Sequence, residues 1–476
     1  MNNNPFRQNN DEIRELVMQF LKMKSGKRFT FIEEEGFEII ADYFIQKDQF
    51  AEALEAAEFG INQFPYSPSL LVIKADILLS LRRYEDCLFY LNKAYILDSN
   101  DANLFIIKTD ALLALDKQEE AAQLLESVLN SFEGEDKINL LFELADVYDD
   151  YENFEKVFNC LTLILQQDPN NEEALYKICF WTDYTGRNEE AITLYHWILD
   201  NNPYNELAWF NLGAAYQGIK LYEKSIDAYQ YAIAINEKFD YAYRNIGDAY
   251  IRLKKYKEAI EVLEKVLELS APEAVIYEAI GHSFDKLHNY AQARFNYKKA
   301  SHLNQEDSQM HYKIACTYMN ESNWQNAIKS LHAALKFHLL QPEYNLALGR
   351  CHMQLEDYDE AITYIGNFVR IRPKNINGWI ELLNCFYKGG LFEDGFEYAV
   401  TAFEHTDSKP IFVYYKSVFL FAMGQSKQAL IYLEYALTAN VKLIKNFIEI
   451  NPTLLQNQQV VDLIARFKKS KSSKSK

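Results

Sequence analysis

The chain has 476 residues, 49% of them hydrophobic and 14% aromatic, with only 16 Gly and 10 Pro. That composition supplies a core and argues against collagen-like, linker-rich and all-β architectures, which use Gly and Pro more heavily. A formal net charge of −19 speaks against sequence-independent binding to nucleic acid or anionic membrane as a whole-chain property, since both are polyanions.

The first predicted element is an amphipathic helix over residues 11–23. No basic region followed by an apolar run precedes it, so it does not read as a secretory leader. No later stretch approaches the roughly 18 apolar residues of a membrane span. Ser25-Gly26-Lys27 has part of a phosphate-loop pattern. The upstream Gly is missing and no Ser or Thr directly follows the Lys, so it reads as a polar turn.

From Glu34 two amphipathic helices alternate. In residues 206–236, Trp209, Leu212, Gly213 and Tyr216 share one helical face. After a polar turn, Tyr222 opens a second helix on which Ser225, Tyr229 and Ala232 align. Such a hairpin cannot bury both faces alone. The pattern returns as Tyr243, Ile246, Gly247 and Tyr250 followed by Tyr256, Ala259, Leu263 and Val266. It returns again as Tyr277, Ile280, Gly281 and Phe284 followed by Tyr290, Ala293, Tyr297 and Ala300. Stepping both ways gives twelve units over residues 34–443, every step being 34 residues except one of 36 around a turn at 133–137. The small position of the first helix reads Ala41, Ala75, Thr109, Ala145, Cys179, Gly213, Gly247, Gly281, Ala315, Gly349, Leu383 and Ser417. Only Leu383 is large. Helices approach closely only where side chains are small, and large aromatics fill the space between.

This pattern resembles the tetratricopeptide-repeat family, whose first helix carries a large residue, Leu-Gly and Tyr. Its second helix carries an aromatic, small residues at fixed spacing and often a closing Pro, here Pro65, Pro169, Pro203 and Pro373. The resemblance covers 410 of the 476 residues. It implies an all-α, right-handed superhelical solenoid of about twelve helix-turn-helix repeats. Residues 1–33 are then a leader and capping helix, 444–467 are C-terminal capping helices, and 468–476 are a disordered Lys/Ser tail.

Catalytic signatures are missing: there is no HExxH and no GxSxG. Seven of the nine histidines fall between His282 and His352, but they scatter over different repeat positions, so no metal site and no cofactor are expected. Six cysteines lie far apart without a CxxC pair, as expected of thiols in a reducing compartment, and the chain is placed in the cytoplasm.

The resemblance also implies that the first helices line a concave groove, with ligand-facing side chains at repeat positions 2, 5, 9, 12 and 13. Position 9 of the first four repeats then holds Asp42, Asp76, Asp110 and Asp146. Repeat 4 adds Asp149 and Asp150, and repeat 1 adds Glu35 and Glu38. Residues 31–170 hold 29 Asp and Glu against 9 Lys and Arg, while the remainder holds 39 against 40. Residues at or beside the groove positions further along turn mixed or basic, with Arg244, Arg252, Lys286, Lys313, Arg350 and Lys388. A clamp for a partner's C-terminal carboxylate, known in some family members, does not fit, because the first repeats offer acids there. In the last repeat Ile411, Tyr414, Val418 and Phe421 form a second, apolar groove set, which the C-terminal capping segment either covers or leaves open to a ligand. The function expected is a non-enzymatic scaffold or adaptor that binds protein segments, basic ones near the N-terminal end, without nucleic acid or membrane insertion. The alternative is a fixed structural or regulatory subunit of a larger complex. The 66 residues outside the repeats are too few for a conventional catalytic domain.

Overall fold

The structure, a computed structural model, describes residues 5–25 and 31–472. Among the described residues there is no strand. Helix α1 (Pro5–Lys24) precedes twelve helix pairs. In the first half these are α2 and α3 (Glu34–Ile45, Phe50–Gln63), α4 and α5 (Pro68–Ser80, Tyr84–Leu97), α6 and α7 (Ala102–Ala114, Gln118–Val128), α8 and α9 (Gly134–Asp150, Phe154–Gln167), α10 and α11 (Glu172–Thr185, Asn188–Asn201), and α12 and α13 (Glu206–Gly218, Tyr222–Ile235). The second half has α14 and α15 (Asp240–Arg252, Tyr256–Leu269), α16 and α17 (Ala274–Lys286, Tyr290–Leu303), α18 and α19 (Ser308–Asn320, Trp324–Phe337), α20 and α21 (Pro342–Gln354, Tyr358–Ile371), α22 and α23 (Ile376–Lys388, Phe392–His405), and α24 and α25 (Pro410–Ala422, Ser426–Asn440). Helices α26 (Ile444–Ile450) and α27 (Gln458–Ser472) come last. The chain forms two compact units, Met1–Asn245 and Ile246–Lys476.

Local chemistry sets the helix ends. Side chains of Ser67, Asn171, Asn205 and Asn375 accept the N–H of Leu70, Ala174, Ala208 and Gly378, capping the helices they precede. Pro68, Pro342 and Pro410 open α4, α20 and α24, where a missing N–H costs nothing. Every hairpin turn carries one left-handed residue at the same repeat position: Asp48, Arg82, Asp116, Glu152, Gly186, Lys220, Lys254, His288, Ser322, Glu356, Gly390 and Gly424. Most are not glycine, so the turn is enforced by packing and by its own bonds. In one of them the Leu221 N–H donates to the Tyr216 carbonyl at 2.9 Å, closing the helix end.

The 36-residue step is absorbed differently from the sequence expectation. Residues 134–137 are not a turn but the first turn of α8, which reaches 17 residues. The preceding helix α7 stops at Val128 after 11 residues and passes into a short 3₁₀ turn, Leu129–Ser131.

In the first unit, α4 packs on both α2 and α6, and α6 packs on α8. The first helices α2, α4, α6 and α8 therefore stand side by side as one layer. Helix α1 closes its start: Phe20 is buried, with its ring 6.4 Å from Phe44 and 5.7 Å from Phe59. The small first-helix position does what its size suggests. A Cβ on Gly213 would lie 2.6 Å from the Tyr229 ring of the same hairpin.

In the second unit the same close approach recurs between Gly281 and Tyr297, where an added Cβ would lie 2.7 Å from the ring. Helix α24 is buried along Ile411–Leu420, including Lys416, whose ammonium lies 4.4 Å from the Phe403 ring centroid. Helix α27 is described to Ser472, inside the segment expected to be disordered from 468, and residues 473–476 lie outside the described residues. No helix among the described residues is long and apolar enough to cross a membrane.

Candidate functional site

Each position-9 aspartate projects from a different first helix of the first unit: Asp42 from α2, Asp76 from α4, Asp110 from α6 and Asp146 from α8. Asp42, Asp110 and Asp146 are exposed and Asp76 is half-buried. Partial burial pushes the carboxyls of Asp42, Asp76 and Asp110 above the ordinary aspartate range. The charge of Asp42 pushes Asp76 further, and the charge of Asp76 pushes Asp110 further. The three carboxylates stand on the adjacent helices α2, α4 and α6, close enough for one charge to act on the next. The Cys87 thiol on α5 senses the same field. Burial raises it to about 12, with Asp76 and Asp110 adding to the shift.

Among the described residues no cation neutralises these three. The nearest lysines in sequence turn elsewhere: the Lys74 ammonium meets Glu58 at 2.8 Å and lies 4.3 Å from the Tyr90 ring centroid. The Lys108 ammonium donates to the Asn92 side-chain carbonyl at 2.9 Å. Asp146 differs from the other three, because Lys177 of α10 reaches it at 3.5 Å while also holding Glu173 at 3.0 Å.

The row contains one member that repeat positions did not indicate. Glu143, on α8 one turn before Asp146, is half-buried. Burial, then the charges of Asp110 and Asp146, push its carboxyl up to about 7. At the other end Glu38 is raised by burial, partly offset by a hydrogen bond from Ser69, with Glu34, Asp42 and Glu35 adding repulsion. Glu35 is exposed, as are Asp149 and Asp150. The last two occupy the final turn of α8, where the helix dipole disfavours negative charge.

Sequence reasoning also missed the aromatic helix that comes after the aspartates. The next position-9 residue is Phe180 on α10, with Tyr176 and Tyr184 one turn to either side. Their exposures are 61%, 64% and 60%, high for rings of this size. The signal was present in the sequence as aromatics at i, i+4 and i+8 on groove positions 5, 9 and 13.

In the second unit three of the basic residues named above are compensated locally. Arg252 meets Asp248 at 3.4 Å, Arg350 grips Glu381 with its closer contact at 2.6 Å, and Lys313 pairs with Glu278. The apolar set of the last repeat is not an open groove. Ile411, Tyr414 and Val418 are buried and Phe421 is half-buried. Phe447 of α26 and Val460 and Ile464 of α27 share one core with Tyr414, Val418 and Phe421, while Ile411 is buried in the core of the preceding pair. The Tyr414 hydroxyl donates to the Asn440 carbonyl at 2.9 Å, and its ring lies 5.9 Å from Phe447. Apolar residues of this size shed water when a segment is tethered beside them.

Comparisons with known proteins agree with the helical pairs. Residues 218–347 match the tetratricopeptide repeat protein 21 C-terminal ARM domain, and residues 183–238 and 342–375 match tetratricopeptide-repeat models. No curated protein matches the chain. Similar solved structures include the C-terminal part of a TPR repeat-containing protein from Cytophaga hutchinsonii, 16% identical, covering 54% of this chain and 99% of that one, with a TM-score of 0.44. The APC/C hetero-tetramer Cut9-Hcn1 is 12% identical, with 87% of this chain and 98% of that chain covered and a TM-score of 0.33. YrrB, described as a TPR protein with an unusual peptide-binding site, is 18% identical, with 39% and 95% covered and a TM-score of 0.35.

Proposed function

The chain belongs to the tetratricopeptide-repeat family, and we propose that it is a non-enzymatic scaffold that holds a basic segment of a partner protein along its first four repeats. One observation carries this reading. Asp42, Asp76 and Asp110 hold the same position on three adjacent helices, and no cation of the described chain pairs with them. Each carboxylate raises the next, so the row is electrostatically unfavourable until a cation arrives. A segment bearing Lys or Arg at intervals relieves all three at once. Acids at the C-terminal end of α8 extend the field at a local cost to that helix.

The test replaces Asp42, Asp76, Asp110 and Asp146 together by Asn and measures capture of a labelled lysine-rich peptide at low and high salt. Capture is expected to fall at least about tenfold, and its salt dependence to flatten. Unchanged capture with unchanged salt dependence overturns the reading. A labelled RNA is expected not to shift with the intact chain, because it meets the same negative field.

A second reading, fixed membership of a larger assembly, is favoured by a separate surface. Tyr66 and Ile96 are both 81% exposed, around a cleft of about 640 Å³ also lined by Leu71 and Tyr90. Constant co-migration with partners at high salt in size-exclusion of lysate favours that reading, and release as a single species opposes it. We further place the protein in the cytoplasm. All six cysteines are free, and burial holds the Cys160, Cys351 and Cys385 thiols at about 12. Recovery from an oxidising compartment would contradict that placement.

A further inference from the structure

We propose that the exposed rings of Tyr176, Phe180 and Tyr184 on α10 form a subsite that stacks arginine side chains of the bound segment; this rests on the reading that a basic segment runs along the aspartate row. The rings continue that row at the next repeat. Phe180 holds the position that Asp42, Asp76, Asp110 and Asp146 hold before it, so a segment laid along the carboxylates meets this helix next.

The ring geometry suits a flat cation. Phe180 and Tyr184 are near-parallel, with centroids 6.0 Å apart and planes 25° apart. Trp181 stands edge-on to both, at 80° and 78°. Phe154 stacks on Trp181 at 5.1 Å and meets Tyr184 edge-on at 4.8 Å, bracing the cluster from α9. The exposed faces of Phe180 and Tyr184 are therefore braced, and little ordering entropy is lost on binding to them.

Charge selects the occupant. Asp183 shares the α10 surface, and Asp149 and Asp150 end the neighbouring first helix; all three are exposed. Beside Tyr184 opens a cleft of about 370 Å³, lined also by Tyr151, Glu152, Asn153, Phe154 and Glu155. A purely apolar anchor would desolvate these acids without pairing them. A guanidinium lies flat on a ring and presents its N–H edge to a carboxylate, which a compact ammonium cannot do as well. The same unit already uses this arrangement internally: the Arg187 guanidinium lies 4.3 Å from the Phe158 ring centroid while pairing with Glu190. Among the described residues no cation stacks on Tyr176, Phe180 or Tyr184.

The experiment uses the full chain and two labelled peptides of equal length and charge, one alternating arginine and serine, the other lysine and serine. Fluorescence anisotropy at low salt is expected to show about tenfold tighter binding of the arginine peptide. The combined Tyr176→Ala, Phe180→Ala and Tyr184→Ala variant is expected to lose that preference while still binding the lysine peptide as before. Phe180→Leu, which keeps apolar bulk and removes the π face, is expected to lose about threefold of it, and it decides the matter if the triple variant does not fold. Equal affinity for the two peptides in the intact chain, or a preference that survives in the variants, overturns the arginine subsite while leaving the acidic row in place. Tighter binding of a lysine–leucine peptide than of the arginine peptide assigns the rings to apolar anchors and also overturns it. Failure of the intact chain to bind any of these peptides overturns the acidic-row reading itself, and this subsite with it.

Discussion

Glu143 lies where Asp110 and Asp146 act on a carboxyl already partly cut off from water, and its proton is held up to about 7. The folded chain therefore binds this proton more tightly than the unfolded chain, in which the group returns to its ordinary value of 4.5. Stability is gained as pH falls through about 7 and is lost as pH rises through it, the reverse of a salt-bridged carboxylate. Glu143→Gln removes the ionisation and keeps the shape. Thermal melts are expected to show the variant more stable than the parent by about 1–2 kcal/mol near pH 8, after allowance for solvent screening, and indistinguishable from it near pH 4, below the unfolded value. A parent whose stability rises between those values, with no flattening in the variant, contradicts this. The residue was not legible in the sequence, where it falls outside the groove positions. The spacing placed Asp42, Asp76, Asp110 and Asp146 on one ladder, but a spacing does not say which acid another part of the chain neutralises. Lys177 takes up Asp146 from the next repeat, and only the packed helices reveal that Glu143 stands in its place.

At the scale of whole elements the repeat was readable because each helix pair must solve the same packing problem. Residue sizes vary in compensation. Gly213 and Gly281 make room for Tyr229 and Tyr297. In the eleventh pair, the large Leu383 at that position is buried, and the corresponding second-helix residue is the small Ala399. Gly395 of the same helix instead lies against Phe419 of the next pair. The one apparent exception in the pattern is thus a swap of large and small. The longer α8 could not be read that way, because two inserted residues near Glu133 suit a loop or an extra helical turn equally well. The C-terminal helices are the same problem at the edge of the array, where no further repeat exists to cover α24. Phe447 of α26 is fully buried against Tyr414 of α24, and Val460 of α27, which packs on α25, is fully buried in the same core. Removing residues 444–476 is expected to uncover Tyr414 and Val418, lower the melting temperature and drive aggregation, measured by light scattering during a thermal ramp. A truncated chain that melts like the parent and stays dispersed shows that α26 and α27 are not a required cover.

Across the molecule, charge distinguishes repeats that share one architecture. Residues 31–170 carry 29 acids against 9 bases, and their row of carboxylates is largely unpaired. In the second unit Arg252, Arg294, Arg350 and Arg372 pair with acids of the same unit. In a repeat array each pair contacts mainly its neighbours, so repulsion within the first four pairs is felt there and not averaged over the chain. Salt should then act with opposite signs on two observables. Raising sodium chloride from about 20 mM to about 500 mM shortens the screening length from roughly 20 Å to about 4 Å. It is expected to slow amide hydrogen exchange in residues 31–170 by a factor of about three to ten, with little change in the second unit. Over the same range, capture of a basic peptide is expected to weaken. A merely solvated acidic face predicts the first effect without the second. Uniform protection along the chain would place the repulsion elsewhere. Slower exchange with weaker capture, both removed by changing Asp42, Asp76, Asp110 and Asp146 to Asn, is the signature of a row whose repulsion a cationic partner relieves.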